Sequence, residues 1–178
     1  MNDITVEYGG ALSALAFEEK REDTVLESAR AVKKIIADNP DYVRFLAAPN
    51  VQREEKLNAI DEAFGSIDPY VKNFLKIMTE RGYAFQIVDC LEEYERLYFS
   101  NKNISVAKVL CASELTEAQK AALKANLEKK TGRKIEFEYV PAPEIIGGIR
   151  ILIDGELFDG SIKGRLDDLR EKLARTTI

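Results

Sequence analysis

The sequence predicts two domains, an N-terminal all-α six-helix bundle over residues 1–101 and a small α+β domain over residues 104–178. Three observations lead there. Up to Asn101 the apolar residues recur at helical spacing, broken at intervals by proline or glycine. The polar run Ser100-Asn101-Lys102-Asn103 then marks a break between periodic segments. Beyond it the period changes to two, most plainly where Ile149, Ile151 and Ile153 alternate with Arg150 and Leu152.

The first helix is expected over residues 4–20, with Ile4, Tyr8, Leu12 and Leu15 on one face. Asp23 is placed to cap a second helix in which Leu26, Ala29, Val32 and Ile36 recur. Asn39-Pro40 and Asp68-Pro69 each set a capping side chain before a proline suited to a first helical turn. They open a third helix over 40–48 and a fifth over 69–81, with a fourth over 52–64 between them. Gly65 and Gly82 stand where left-handed C-terminal caps are expected. A sixth helix, 84–101, carries Phe85, Val88, Leu91, Tyr94 and Leu97. No helix interior contains proline, and linkers of a few residues make sequential helices antiparallel neighbours.

In the second half, residues 104–111 read as a strand. Thr116 and Gln119 fit a capping box for a helix that runs to Thr131 and stops at Gly132. Residues 134–140 alternate, with Ile135, Phe137 and Tyr139 opposite Lys134, Glu136 and Glu138. Asp154-Gly155 tolerates positive φ at both positions of a type I′ hairpin, which returns along 156–158. Asp159 or Ser161 then caps a last helix striped by Ile162, Leu166, Leu169 and Leu173. Strands and helices in this order predict helices packed on one face of a small sheet.

Composition narrows the function. Apolar residues make up 46% and charged residues 32%, and no apolar run approaches the roughly 18–20 residues that span a bilayer. The start, MNDITVEYGG, lacks the basic and apolar segments of a signal peptide, so membrane association is expected only through a partner. Net charge −5 argues against nucleic-acid binding, and Glu136 and Glu138 put acid beside the aromatics Phe137 and Tyr139. Histidine is absent, which removes the commonest general base and metal ligand. Cys90 and Cys111 are expected as buried free thiols.

The chemical motifs are weak. Gly147-Gly148 lacks the Lys-Ser/Thr of a phosphate loop and leads into a strand, so it is read as shaping the strand's start. Asp159-Gly160-Ser161 has no histidine to activate a serine and is read as a cap. Glu18-Glu19, Glu92-Glu93 and Asp167-Asp168 are read as solvated helix faces. Lys163 and Arg165, flanking Gly164, are read as surface charges or a partner contact. Gly9, Gly10, Ala11, Ser13, Ala14 and Ala16 admit two readings, close helix packing or a shallow groove that receives a foreign helix. No catalytic residue, metal ligand or cofactor site is expected.

Pro143, Ile146, Gly147, Gly148, Asp159, Ser161, Gly164, Arg165 and Leu166, in this order near the C-terminus, resemble the signature of the F-type ATP synthase delta subunit family, called the oligomycin-sensitivity-conferring subunit in mitochondria. Tyr8-x-x-Ala11-Leu12, Asn39-Pro40, Pro49, Lys56 and Asn73-Phe74-Leu75 add matches in family-like order, extending the resemblance over essentially the whole chain. Gly9-Gly10 departs from it, standing where the family more often has alanine and a basic residue. The resemblance implies a non-catalytic stator subunit with an N-terminal six-helix domain and a smaller C-terminal α/β domain. It implies a groove between the first and fifth helices for the N-terminal helix of an alpha subunit on the catalytic head. Candidate walls are Tyr8, Ala11 and Leu15 with Asn73, Phe74 and Ile77. It implies that the second domain contacts the C-terminal end of the b stalk. Gly147, Gly148, Asp159, Ser161, Gly164 and Arg165 are there either structural or part of that contact. The implied location is the cytoplasmic face of a bacterial membrane, held through the complex. The competing reading is a helix-binding adaptor or assembly factor for another complex.

Overall fold

The computed structural model describes residues 3–111, 115–143, 145, 147–162, 164 and 166. The chain divides into two compact units, Met1–Tyr98 and Phe99–Ile178. The first is helical: α1 (Asp3–Glu18), α2 (Glu22–Asp38), α3 (Pro40–Ala47), α4 (Arg53–Ala63), α5 (Pro69–Glu80) and, after a 3-10 turn at Ala84–Gln86, α6 (Ile87–Asn101). The second holds β1 (Ile104–Cys111), α7 (Glu117–Thr131), β2 (Lys134–Pro141), β3 (Ile149–Ile153) and β4 (Glu156–Asp159).

The helical core draws one stripe from most of the helices. Val25, Ala29, Val32 and Ile36 of α2, Ile60 of α4, Val71, Leu75 and Met78 of α5, and Ile87, Leu91 and Tyr94 of α6 are buried. The Tyr94 hydroxyl donates to the Glu22 carbonyl oxygen at 2.7 Å, which satisfies a polar group inside the core.

Local expectations are corrected at several points. Asp23 is not the cap of α2, which starts one residue earlier with Arg21 at the N-cap; Asp23 instead accepts from the Tyr98 hydroxyl at 2.6 Å. Asn39 makes no capping bond, because its amide donates back to the Ile35 carbonyl. Asp68 does cap, accepting from the Tyr70 amide at 2.8 Å. Gly82 adopts φ +79°, whereas Gly65 is not left-handed. The helix expected from Ala84 opens as a tighter 3-10 turn and leaves Phe85 exposed.

The sheet has strand order β2-β1-β3-β4, with β1 parallel to β2 and antiparallel to β3, and β3 antiparallel to β4. A parallel pair needs a crossover, which α7 supplies. Thr116 forms the expected capping box with Gln119, and Gly132 closes α7 at φ +69°. Ala107 and Val109, Ile135, and Ile151 and Ile153 form one buried face with Leu127 of α7. The alternation in β2 fades outward, Phe137 being half-buried and Tyr139 exposed. Asp154 and Gly155 take φ of +50° and +85°, the pair of positive values a type I′ hairpin requires. Residues 162, 164 and 166 are helical. Leu169 and Leu173 of the expected last stripe lie outside the described residues, as do Asp167, Asp168, Ile146, Lys163 and Arg165.

Candidate functional site

The face that α1 buries shares only Leu12 with the stripe its apolar residues select. Thr5, Gly9, Leu12, Ser13 and Ala16 turn inward, while Ile4 and Tyr8 are half-buried and Leu15 is 37% exposed. The reason is close contact with α6. A β-carbon on Gly9 would sit 2.7 Å from the Cys90 carbonyl oxygen and 2.9 Å from the Glu93 β-carbon. Small residues therefore let the backbones approach, and of the larger apolar side chains of the stripe Leu12 stays inside while Ile4, Tyr8 and Leu15 lie at its margin. The small-residue run divides between both readings, with Gly9, Ser13 and Ala16 packing inside and Ala11 and Ala14 exposed.

Adjacent glycines thus differ. Gly9→Ala is expected to destabilise by about 1–3 kcal/mol, since the clash with backbone exceeds the gain in helix propensity. Gly10 has nothing within 4 Å of its would-be β-carbon. Gly10→Ala should stabilise by about 0.5–1 kcal/mol. Urea midpoints that shift the same way for both would remove the packing explanation.

Beneath Gly9, Glu93 is only 3% exposed, a correction to its reading as part of a solvated face. Arg96 holds both of its carboxylate oxygens at 2.7 and 2.8 Å. Those hydrogen bonds keep the carboxyl below its usual range against the opposing effect of burial. Cys90 and Cys111 are buried free thiols. Burial, with Asp89 adding to it, pushes the Cys90 thiol up to about 11, so it is protonated and unreactive at neutral pH.

Along α5, Tyr70, Asn73 and Ile77 share a face at i, i+3 and i+7, the spacing that Tyr8, Ala11 and Leu15 have on α1. Contacts at both ends set these faces side by side. The Tyr8 and Tyr83 rings meet edge-on at 5.9 Å, just past the end of α5. At the other end the Arg21 guanidinium lies 5.5 Å over the Tyr70 ring and pairs with Asp68 at 2.8 Å. The two helices therefore run antiparallel, and Leu15 falls level with the middle turns of α5. Ile77 is 38% exposed, and Asn73 and Ala11 are exposed as well. Phe74 turns inward and is buried among the core residues. Tyr8, Ala11 and Leu15 thus lie along the outer side of α1 and Asn73 and Ile77 along that of α5, two helices joined at each end by an aromatic contact. Val6 and Phe85 are the other large apolar side chains exposed among the described residues of this unit.

The signature residues of the second unit form a backbone knot. Gly148 takes φ +83°, and a β-carbon there would meet the Gly160 carbonyl oxygen at 2.4 Å and the Ser161 α-carbon at 2.8 Å. Gly160 N–H donates to Ile149 O at 2.9 Å, and Ile162 N–H to Gly147 O at 3.0 Å. Asp159 accepts from the Ser161 amide at 2.9 Å and from Arg150 at 2.8 Å, while Ser161 Oγ accepts from the Gly164 amide at 3.0 Å. Gly147, Gly148, Asp159, Ser161 and Gly164 are thereby brought together, and none of these contacts requires a ligand. Gly148 and Ile149 also border a cleft of about 460 Å³ against Leu115, Gln119 and Leu123 of the α7 region. On the opposite sheet face, Leu152 and Leu157 are register partners and both exposed.

The arrangement offers surfaces rather than reactive groups. Among the described residues there is no metal-binding cluster of histidine, cysteine or carboxylates, and no helix long and apolar enough to cross a membrane.

The family profile described as ATP synthase delta (OSCP) subunit matches residues 4–173. The ATP synthase subunit delta of Alkaliphilus oremlandii is 31% identical over 176 residues, covering 98% of this chain and 98% of its own length. That of Halalkalibacterium halodurans is 31% identical over 168 residues, covering 93% and 92%. A chain in the cryo-EM composite model of the Toxoplasma gondii mitochondrial ATP synthase hexamer superposes with a TM-score of 0.75 over 97% of this chain and 98% of its own, at 17% identity.

Proposed function

This chain belongs to the ATP synthase delta (OSCP) subunit family, a non-catalytic part of the complex, and we propose that it is the stator connector between catalytic head and peripheral stalk. Residues 1–101 act as a six-helix docking bundle on top of the head. The strip between α1 and α5 takes the amphipathic N-terminal helix of an alpha subunit, laid between Tyr8, Ala11 and Leu15 on one side and Asn73 and Ile77 on the other, over the buried Phe74. Residues 104–178 hold the C-terminal end of the b stalk, with the Gly147–Gly148 region and its neighbouring cleft as the candidate contact. The complex stands at the cytoplasmic face of a bacterial membrane, and this chain is held there by its partners.

The observation that carries this reading is the displaced apolar face of α1. Leu15 and Ile77 remain exposed along an antiparallel helix pair whose ends are fixed by tight contacts. Apolar side chains left exposed along such a pair support the helix-in-groove reading. Mechanics supplies the need. A rotor turning inside the head exerts an equal reaction torque on it, and an unanchored head turns along with the rotor. Proton flow is then uncoupled from ATP synthesis. A grip of nanomolar strength corresponds to about −12 kcal/mol, within reach of one well-packed amphipathic helix.

The test is calorimetric titration of the full chain with a peptide of the N-terminal helix of the alpha chain. Leu15→Asp with Ile77→Asp is expected to weaken binding at least about a hundredfold, because two apolar contacts become desolvated carboxylates. The thermal midpoint should hold, since both side chains are more than a third exposed. Undiminished affinity in the double variant would place the alpha helix elsewhere.

A further inference from the structure

Charge around the strip is unequal on its two sides. On α1, Glu7, Ala11, Ala14 and Glu18 follow at i, i+4, i+7 and i+11, so they form one outer ridge beside Leu15, and all four are exposed. Among the described residues, neither Glu7 nor Glu18 has an ion-pair or side-chain hydrogen-bond partner. On α5 the charged neighbours are already engaged, Lys76 with Asp61 at 2.7 Å and Glu80 with Arg53 at 2.6 Å. At the ends, Arg21 is committed to Asp68, and Arg81 lines a separate cavity beside α4 with Val51, Lys56 and Leu57. The α1 rim thus carries two uncompensated carboxylates, three helical turns or roughly 16 Å apart.

We propose that the helix docking in this strip presents two basic side chains about eleven residues apart on one flank of its apolar stripe, one for Glu7 and one for Glu18. This rests on the reading of the strip as a helix-docking site and adds the chemistry of its occupant. The eleven-residue spacing holds whichever way the incoming helix runs, since both helices rise by the same amount per residue. Apolar contacts supply affinity, and the paired rim sets register and speeds encounter.

Two synthetic amphipathic helices of about 22 residues with the same apolar stripe, one with Lys at both flank positions and one with Glu, discriminate the outcomes by calorimetry on the full chain. The Lys peptide is expected to bind about three- to tenfold tighter at low salt, two exposed pairs each contributing a few-fold. The difference should largely vanish at about 0.5 M salt and in Glu7→Gln with Glu18→Gln. Both substitutions are on the surface, and an unchanged melting curve verifies the fold. Equal binding of both peptides, or a preference that survives the double substitution, overturns the charged-rim proposal while leaving the apolar strip standing. Failure of both peptides to bind, with Leu15→Asp making no difference, overturns the strip and the rim together.

Discussion

Replacing Asp68 by alanine is expected to destabilise the helical unit by about 3 kcal/mol. The side chain is 1% exposed and performs three tasks at once. It caps α5 through the Tyr70 amide, accepts from Thr24 Oγ1 of α2 at 3.2 Å, and pairs with Arg21. Its own amide donates to Ser28 Oγ at 2.9 Å, so the start of α5 is tied to α2 from both sides of the residue. Loss of a cap is worth about 1 kcal/mol and hydrogen bonds to a buried charge about 1.5–3, discounted here because Arg21 is partly solvated. Asp68→Asn keeps an acceptor for the cap and should lose roughly half as much. Urea unfolding followed by circular dichroism measures both, and a loss below about 0.5 kcal/mol for the alanine variant would show that the network contributes little. Because the same contacts fix one end of the α1–α5 pair, Asp68→Ala should also weaken the helix docking proposed for the strip.

Gly148→Ala is expected to disrupt the second unit by about 3 kcal/mol or more. The left-handed φ strains any L side chain, and the added carbon would press on the backbone of Gly160 and Ser161 rather than on a yielding side-chain tip. Gly155 offers the control. It shares the positive φ but has open space around it, so Gly155→Ala should cost only about 1 kcal/mol. Hydrogen exchange localises the damage. The amides of Gly160 and Ile162, bonded to Ile149 and Gly147, should lose protection in Gly148→Ala and keep it in Gly155→Ala. Equal effects at the two glycines would attribute the result to backbone strain alone.

Elements governed by short-range chemistry were legible in the sequence. The capping box at Thr116, the glycine stop at Gly132, the Asp154-Gly155 turn and the proline-led starts of α3 and α5 each depend on residues within a turn of one another. The change of period near Asn103 separated helices from strands for the same reason. Asn39, Asp23 and Gly65 escaped because each position admits several local partners and packing chose among them. Glu93 escaped too, since nothing in its neighbourhood announces that α1 will lie on it.

Residue order was enough to show which segments form helices and strands, that histidine chemistry is absent, and which family the signature glycines and Asp159 resemble. It was not enough to show which face of α1 is buried; that came from packing. Apolar periodicity set Ile4, Tyr8, Leu12 and Leu15 on one face, and of these only Leu12 is fully buried. Close approach to α6 requires the smallest side chain at Gly9, which turned Gly9, Ser13 and Ala16 inward and left Leu15 37% exposed. A helix's own sequence ranks its faces by hydrophobicity, but the distance between two backbones is a property of the pair.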